Sequence, residues 1–305
     1  MTTKPWESSR IDLQLAKQLI SSQFPQVDCS SLTLLGDGWD NISFCTHDDI
    51  VFRFPRREFS VALLLNEIKL LPLIQNQISL PIPMPLYVGS PTDEYPWPFA
   101  GYKLLSGQTS DRLSLTRNQR KAYVRTIATF LAELHHIDTA DLQARGAPLD
   151  LLGRVDVQVR LPKIQEYLDK IDELKLFNTA ALRQYALYFK LNKPIKFNCF
   201  VHGDLYSRHL LIDSQKNISG IIDWGDLHIG NAAVDLALVH SFIPPESLAE
   251  FKGIYGVIDD ETWRLAKFRA IYNSARDVVY AYDIKDNTLI EEGLQGLEFI
   301  NETLN

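Results

Sequence analysis

The chain predicts an α+β fold in two parts: an N-terminal antiparallel sheet with one main helix, then a larger, mostly helical part. Short apolar runs separated by turn residues crowd the first third. From Ser110 onward the apolar residues recur at helical spacing instead. The one interruption, residues 199–222, consists of three short apolar runs with charged and imidazole side chains at their ends.

The elements follow in order. Residues 12–24 place Leu13, Ala16, Leu19 and Ile20 on one helical stripe, and Pro25 ends it. Residues 32–35, 42–46 and 50–54 read as strands; Gly36-Asp37-Gly38 separates the first two, and His47-Asp48-Asp49 makes a tight hairpin. Residues 59–75 form a helix with Val61, Leu64, Leu65, Ile68 and Leu71 facing inward. Pro81, Pro83 and Pro85 exclude a helix and lead in extended form to Tyr87-Val88, and residues 99–105 make the last strand, with Ser106-Gly107 as the exit. Beyond it, residues 116–136 read as one buried helix whose terminal His135 and His136 cap carbonyls. Residues 161–191 offer one or two helices, 234–242 another that Pro244-Pro245 breaks, and 263–282 a long one.

The chemistry concentrates between residues 202 and 226. His202-Gly203-Asp204 precedes His209 by a short loop, and Ile221-Ile222-Asp223-Trp224-Gly225-Asp226 follows; Asp204 lies 5 residues before His209 and 19 before Asp223. Each of the three sits at the edge of an apolar stretch, which brings a base and two metal ligands to one point, as phosphoryl transfer requires. The donor's negative charges call for a divalent metal, and Mg2+ takes few protein ligands, preferably oxygens. Asp223 suits that preference; His209 is a softer ligand than is usual. Asp204 would orient or deprotonate an attacking hydroxyl. His202 holds the loop, and Gly203 lets the backbone turn. Read singly, His-Gly-Asp is a common turn and Asp-Trp-Gly a strand end. A hydrolytic metal site is the competing chemistry, but His47, His135, His136 and His228 do not supply a second cluster at ligand spacing.

On these motifs, the chain resembles the aminoglycoside phosphotransferase and choline kinase family, roughly over residues 30–282 and most strongly over 199–236. The resemblance implies a bilobal protein-kinase-like fold: residues 1–105 as a nucleotide-binding lobe with a leading helix, 106–305 as a helical lobe with the catalytic loop and acceptor site, the lobes closing over nucleotide. It implies Asp204 as catalytic base and His209 and Asp223 as Mg2+ ligands; His209 stands where Asn is usual, as in aminoglycoside 2''-phosphotransferases and macrolide phosphotransferases. Residues 229–237 match the helix start that follows, with Asn231 and Ala232 as departures and Asp235 as a buried anchor. Residues 35–41 would cover the phosphates, with Gly36 and Gly38 letting main-chain N–H groups approach. Arg53 replaces the usual lysine on the phosphates, paired with Glu67. Lys103 to Leu105 would meet the purine edge, flanked by Tyr102.

The implied donor is ATP or GTP, and the implied acceptor is a hydroxyl on a cationic small molecule such as an aminoglycoside or macrolide. A housekeeping acceptor (choline, a sugar, an amino acid) and a nucleotide-binding pseudokinase stay open, as do monomer and homodimer. Acceptor-site candidates are Asp226, Asp277, Asp283 and Glu291, or an aromatic wall of Trp263, Tyr280 and Tyr282. The 305 residues, 46% of them hydrophobic, suffice for two lobes. A net charge of −7 with no basic run beyond Arg56-Arg57 argues against nucleic acid. Three scattered cysteines predict free thiols, the polar residues 1–10 hold no apolar signal core, and no stretch spans a membrane, so a cytoplasmic location is expected.

Overall fold

A computed structural model describes residues 11–38 and 40–304. Residues 1–10, read above as polar and without a signal core, and Trp39 of the predicted phosphate-covering loop lie outside the described residues. The described residues divide into two compact units: those up to residue 76 with 81–105, and residues 77–80 with those from 106 onward.

The first unit opens with α1 (Leu13–Gln23), whose first turn is capped by the Asp12 carboxylate accepting from Leu15 N at 2.8 Å. Ala16, Leu19 and Ile20 are buried as expected, but Leu13 is exposed. Strands β1 (Thr33–Asp37), β2 (Asn41–Cys45) and β3 (Ile50–Pro55) precede α2 (Glu58–Ile74), and β4 (Pro85–Gly89) and β5 (Phe99–Lys103) follow it. All pair antiparallel in the order β1-β2-β3-β5-β4. Gly36 lies inside β1, at a register shift between Leu34 and Gly36, and not in a turn after it. On α2, Leu65 faces solvent, whereas Leu64, Glu67, Leu70 and Leu71 are buried. Aromatic rings fill the core on the sheet, Phe54 stacking on Phe99 with centroids 4.6 Å apart.

In the second unit a short β6 (Gln108–Thr109) leads to α3 (Arg117–Ala122) and α4 (Val124–His135). The single helix expected over residues 116–136 is therefore broken at Tyr123, whose N–H turns to the Arg120 and Lys121 carbonyls and closes a tighter turn there. Then come α5 (Thr139–Ala144), α6 (Val157–Glu173) and α7 (Ala180–Tyr188). The apolar runs become β7 (Cys199–Val201), β8 (Leu210–Ile212) and β9 (Ile218–Ile221), and β10 (His228–Gly230) pairs with β7. The unit ends with α8 (Ala233–Phe242), α9 (Leu248–Tyr255), α10 (Asp260–Asp283) and α11 (Asn287–Glu302). Helix α8 is buried on nearly every side, which is why its sequence is mostly apolar and Asp235 stands out in its first turn. No helix among the described residues is long and apolar enough to cross a membrane.

Candidate active site

Strand β7 delivers the chain into the turn at Gly203, where φ is +93° and a Cβ would lie 2.0 Å from the Asp226 carbonyl oxygen, so only glycine fits. The turn's two leading N–H groups are not left to water. His202 N donates to Asp235 Oδ2 at 2.7 Å and Gly203 N to Asp235 Oδ1 at 3.0 Å. Asp235 is fully buried; burial alone would raise its carboxyl, but the His135 hydrogen bond and charge, with the N–H donors, hold it below the ordinary value.

His135 does not cap its helix as expected. Its ring turns inward, Nε2 lying 3.3 Å from Asp235 Oδ2 and Nδ1 2.8 Å from the Tyr255 hydroxyl. His136 does cap, its Nδ1 lying 2.6 Å from the Ala132 carbonyl. The His202 ring closes the turn from inside: Nδ1 accepts from Asp204 N at 3.3 Å and Nε2 donates to Ile222 O at 3.0 Å. Burial, with the neighbouring His209, pushes its pKa down, which suits that neutral tautomer.

Asp204, His209 and Asp223 converge. His209 Nδ1 donates to the Asp204 carbonyl at 2.7 Å, and Nε2 lies 3.3 Å from Asp223 Oδ2. Asp223 adopts a left-handed backbone, φ +65°, a conformation Asp tolerates better than most residues, and its side chain is 54% exposed. Ligands about 2.1 Å from one octahedral ion and at right angles lie about 3 Å apart, so the separation of these two atoms fits a shared divalent cation. The Nδ1 bond also fixes which nitrogen can ligate. Among the described residues no three His, Cys, Asp or Glu side chains gather into a metal cluster, so a cation here would take two protein ligands.

Arg276 on α10 was not among the expected site residues. Its Nη1 lies 3.5 Å from Asp204 Oδ1 and its Nη2 2.8 Å from Asp277 Oδ1, with Tyr206 beneath it at 5.3 Å. Burial would raise the Asp204 carboxyl; the charges of Arg276, His209 and Arg269 outweigh it and hold the group below the ordinary carboxylate range. The seven-residue spacing of Arg269 and Arg276 on the inward stripe of α10 was the available signal.

Of the acceptor-site candidates, Asp226 is bound by Arg154 and Asp277 by Arg276, whereas Asp283 and Glu291 face solvent. Trp263 is half-buried against Phe251 and His240, and Lys252 Nζ lies 4.1 Å from its ring centroid. Tyr280 is half-buried and Tyr282 43% exposed. A cavity of about 780 Å³ opens beside Asp150 and Gly153, lined also by Val157, Leu191, Ile195 and Phe197.

In the first unit, Arg53 Nη1 reaches both Glu67 oxygens, at 3.0 and 2.8 Å, and Tyr102 donates its hydroxyl to Glu67 Oε2 at 3.1 Å. Glu67 is 1% exposed, so this pairing is what allows a carboxylate inside α2. Gly38 N bonds Asn41 O at 3.0 Å, and Arg56 reaches the Gly38 carbonyl at 2.9 Å and the Asp37 carboxylate, fastening the hairpin that holds Gly36. Lys103 donates to Asp48 O at 2.9 Å and Leu104 N to Asp49 O at 2.8 Å, so the Leu104 N–H is engaged within the unit; Leu105 is half-buried.

Residues 31–269 match the model described as phosphotransferase enzyme family. Among curated proteins, the chain is 25% identical over 141 residues to the uncharacterized protein YcbJ of Bacillus subtilis (strain 168), covering 46% of this chain and 45% of that protein. It is 30% identical over 107 residues to viomycin phosphotransferase of Streptomyces vinaceus, covering 34% and 37%. These matches span less than half the length of either relative. Among solved structures, the GDP complex of wild-type aminoglycoside 2'-phosphotransferase-IIIa is similar at TM-score 0.67 and 23% identity, covering 96% of this chain and 99% of that one. Macrolide 2'-phosphotransferase MphH from Brachybacterium faecium is similar at TM-score 0.61 and 18% identity, covering 91% and 96%. At these identities the likeness is one of fold, the protein-kinase-like fold with an antiparallel first sheet and a mostly helical second part.

Proposed function

We propose that this chain, which belongs to the phosphotransferase enzyme family, transfers the γ-phosphoryl group of ATP or GTP to a hydroxyl of an antibiotic-like small molecule, an aminoglycoside or macrolide. One observation carries the reading: His209 links the Asp204 main-chain carbonyl to the Asp223 carboxylate, and the charges of His209 and Asp223 act on the Asp204 carboxylate, at one turn that Asp235 and Gly203 hold from behind. The structural relatives named for GDP and for macrolide phosphotransfer support the donor and acceptor classes.

In this reading Asp204 receives the acceptor's hydroxyl. Held ionised by Arg276, it is a weak base, so its larger contribution is to aim the oxygen, which suits a loose transition state in which little proton transfer has occurred. His209 Nε2 and Asp223 are the residues that would hold a divalent cation such as Mg2+, which when bound supplies charge neutralisation for the donor phosphates. In the first unit, Arg53 is the phosphate contact and Glu67 with Tyr102 keeps its guanidinium aimed. Gly36 and Gly38 offer main chain to the phosphates, and Lys103 with Leu105 the main-chain edge to the purine. The cavity beside Asp150 is of a size that admits a drug-like acceptor.

Two measurements test this. Nucleoside diphosphate release from ATP and from GTP, with Mg2+, should depend on one member of a panel of aminoglycosides, macrolides, choline and small sugars; nucleotide binding without release on any acceptor would favour a pseudokinase. Arg53→Met should raise the nucleotide KM about 10- to 100-fold, the worth of a charge-assisted phosphate contact, with the acceptor KM unchanged. An unchanged nucleotide KM would remove Arg53 from the donor site.

A further inference from the structure

The first turn of α2 is held from outside the helix. Arg57 stands at the N-cap and makes no side-chain cap of its own. Asp40, from the loop between β1 and β2, takes that place: its Oδ1 accepts from the Ser60 hydroxyl at 2.8 Å and from Arg57 Nη2 and Nε at 2.6 and 3.1 Å. The main chain repeats the tie, Arg56 N donating to Asp40 O at 2.9 Å. Ser60 is fully buried, so its hydroxyl requires such a partner.

Ser60 and Glu67 lie on one buried stripe of α2, seven residues apart. That is two turns, about 10 Å along the axis. The helix between them moves as a rod, so what sets Ser60 also sets Glu67, and Glu67 with Tyr102 aims Arg53. Asp40 belongs to residues 35–41, the stretch assigned above to the donor phosphates. A carboxylate beside a polyphosphate is electrostatically unfavourable, and Arg57 offsets only part of that. The Arg57–Asp40 pair is 40% and 36% exposed, so it contributes little to stability. What its geometry does is join loop to helix.

We propose that Asp40 is a positioning residue for the donor: through Ser60 and Arg57 it ties the phosphate-covering loop to the first turn of α2, and so fixes where Glu67 presents Arg53 to the phosphates. The proposal rests on the phosphotransferase reading and on Arg53 as the phosphate contact.

The test is binding to the full chain with Mg2+, and it needs no acceptor. Calorimetry gives the affinity for ATP or GTP, and displacement of that nucleotide gives the affinity for the matching nucleoside. Asp40→Ala removes a negative charge from beside the phosphates, so charge alone would tighten triphosphate binding. The proposal has the opposite sign: triphosphate affinity should fall about fivefold or more, the ordinary range of coupling between sites. Nucleoside affinity should stay unmoved, because it offers Arg53 no phosphate. Ser60→Ala, which leaves the loop's charge intact, should shift affinity the same way. In an Arg53→Met background, Asp40→Ala should cost less than about twofold more, since its effect runs through Arg53.

Triphosphate binding that is unchanged or tighter in Asp40→Ala overturns the proposal. So does an equal loss for nucleoside and triphosphate, the mark of a merely structural role, or a full additive loss in the Arg53→Met background. Should Asp40→Ala fail to fold, Ser60→Ala, which deletes a single oxygen, decides alone. No nucleotide binding by the unaltered chain would sink the phosphotransferase reading and this proposal together; binding that Asp40→Ala leaves unmoved sinks only this one.

Discussion

Asp204→Asn is expected to lower acceptor-dependent turnover by about 10²- to 10⁴-fold, the range for removing a group that aims the reacting hydroxyl and accepts its proton, while nucleotide affinity changes little. The side chain keeps its shape, and the turn that carries it is held by main-chain donors to Asp235 and by His202, neither of which involves the Asp204 carboxylate. Arg276 loses one ionic partner but keeps Asp277 at 2.8 Å, so the site should not collapse. Steady-state release of nucleoside diphosphate, paired with a thermal-shift titration of nucleotide, separates lost chemistry from lost binding. Turnover within about tenfold of the original would remove Asp204 from the role of base.

The second large effect falls on stability. Asp235→Ala strips a buried carboxylate from two main-chain N–H groups and from His135, leaving buried donors unpaired in the second unit. Breaking such a buried charged network costs about 3–5 kcal/mol, on the order of 10 °C in Tm for a unit of this size. Asp235→Asn should lose less, because the amide oxygen still accepts one of the two N–H groups. The pH dependence has a defined sign. The Asp235 carboxyl titrates below its ordinary value in the folded chain, so its contribution is fully present above the unfolded value of about 3.9 and is lost as pH falls through the lower, folded one. The gap in urea midpoint between the unaltered chain and Asp235→Asn should therefore narrow as pH falls below about pH 4. A gap that widened as pH fell from about 4 to 2 would mean that Asp235 is not the ionised anchor described.

The candidate site's segment was legible because its physics is local. Short apolar runs bordered by His202, His209 and Asp223 read as buried strands with polar residues at their edges, and Asp235 was conspicuous in a mostly apolar helix. The Arg53–Glu67 pair was readable for a similar reason, since a glutamate among leucines on α2 needs a cation. What stayed hidden depends on partners far away in the chain. His135 meets Asp235 across 100 residues, and Arg154 meets Asp226 across 72, so periodicity could show that these side chains lay near a buried stripe but not what they faced. Leu65 was misplaced because residues 61–65 are almost uniformly apolar and give no contrast from which to choose a face. The break at Tyr123 is a local tightening in a run with no proline or glycine to announce it. Gly36 was read as a turn because glycine marks turns and strand irregularities alike; here it marks a bulge.

The central claim is that a phosphoryl group moves from a nucleoside triphosphate to an acceptor hydroxyl at Asp204. The most direct test is phosphorus NMR with mass spectrometry of the acceptor, recovered after incubation with nucleotide, Mg2+ and either the unaltered chain or Asp204→Asn. A phosphate monoester on one acceptor, formed in step with nucleoside diphosphate and absent with Asp204→Asn, is the predicted result. Nucleoside diphosphate released only together with free phosphate, or an ester formed equally well by Asp204→Asn, would contradict it.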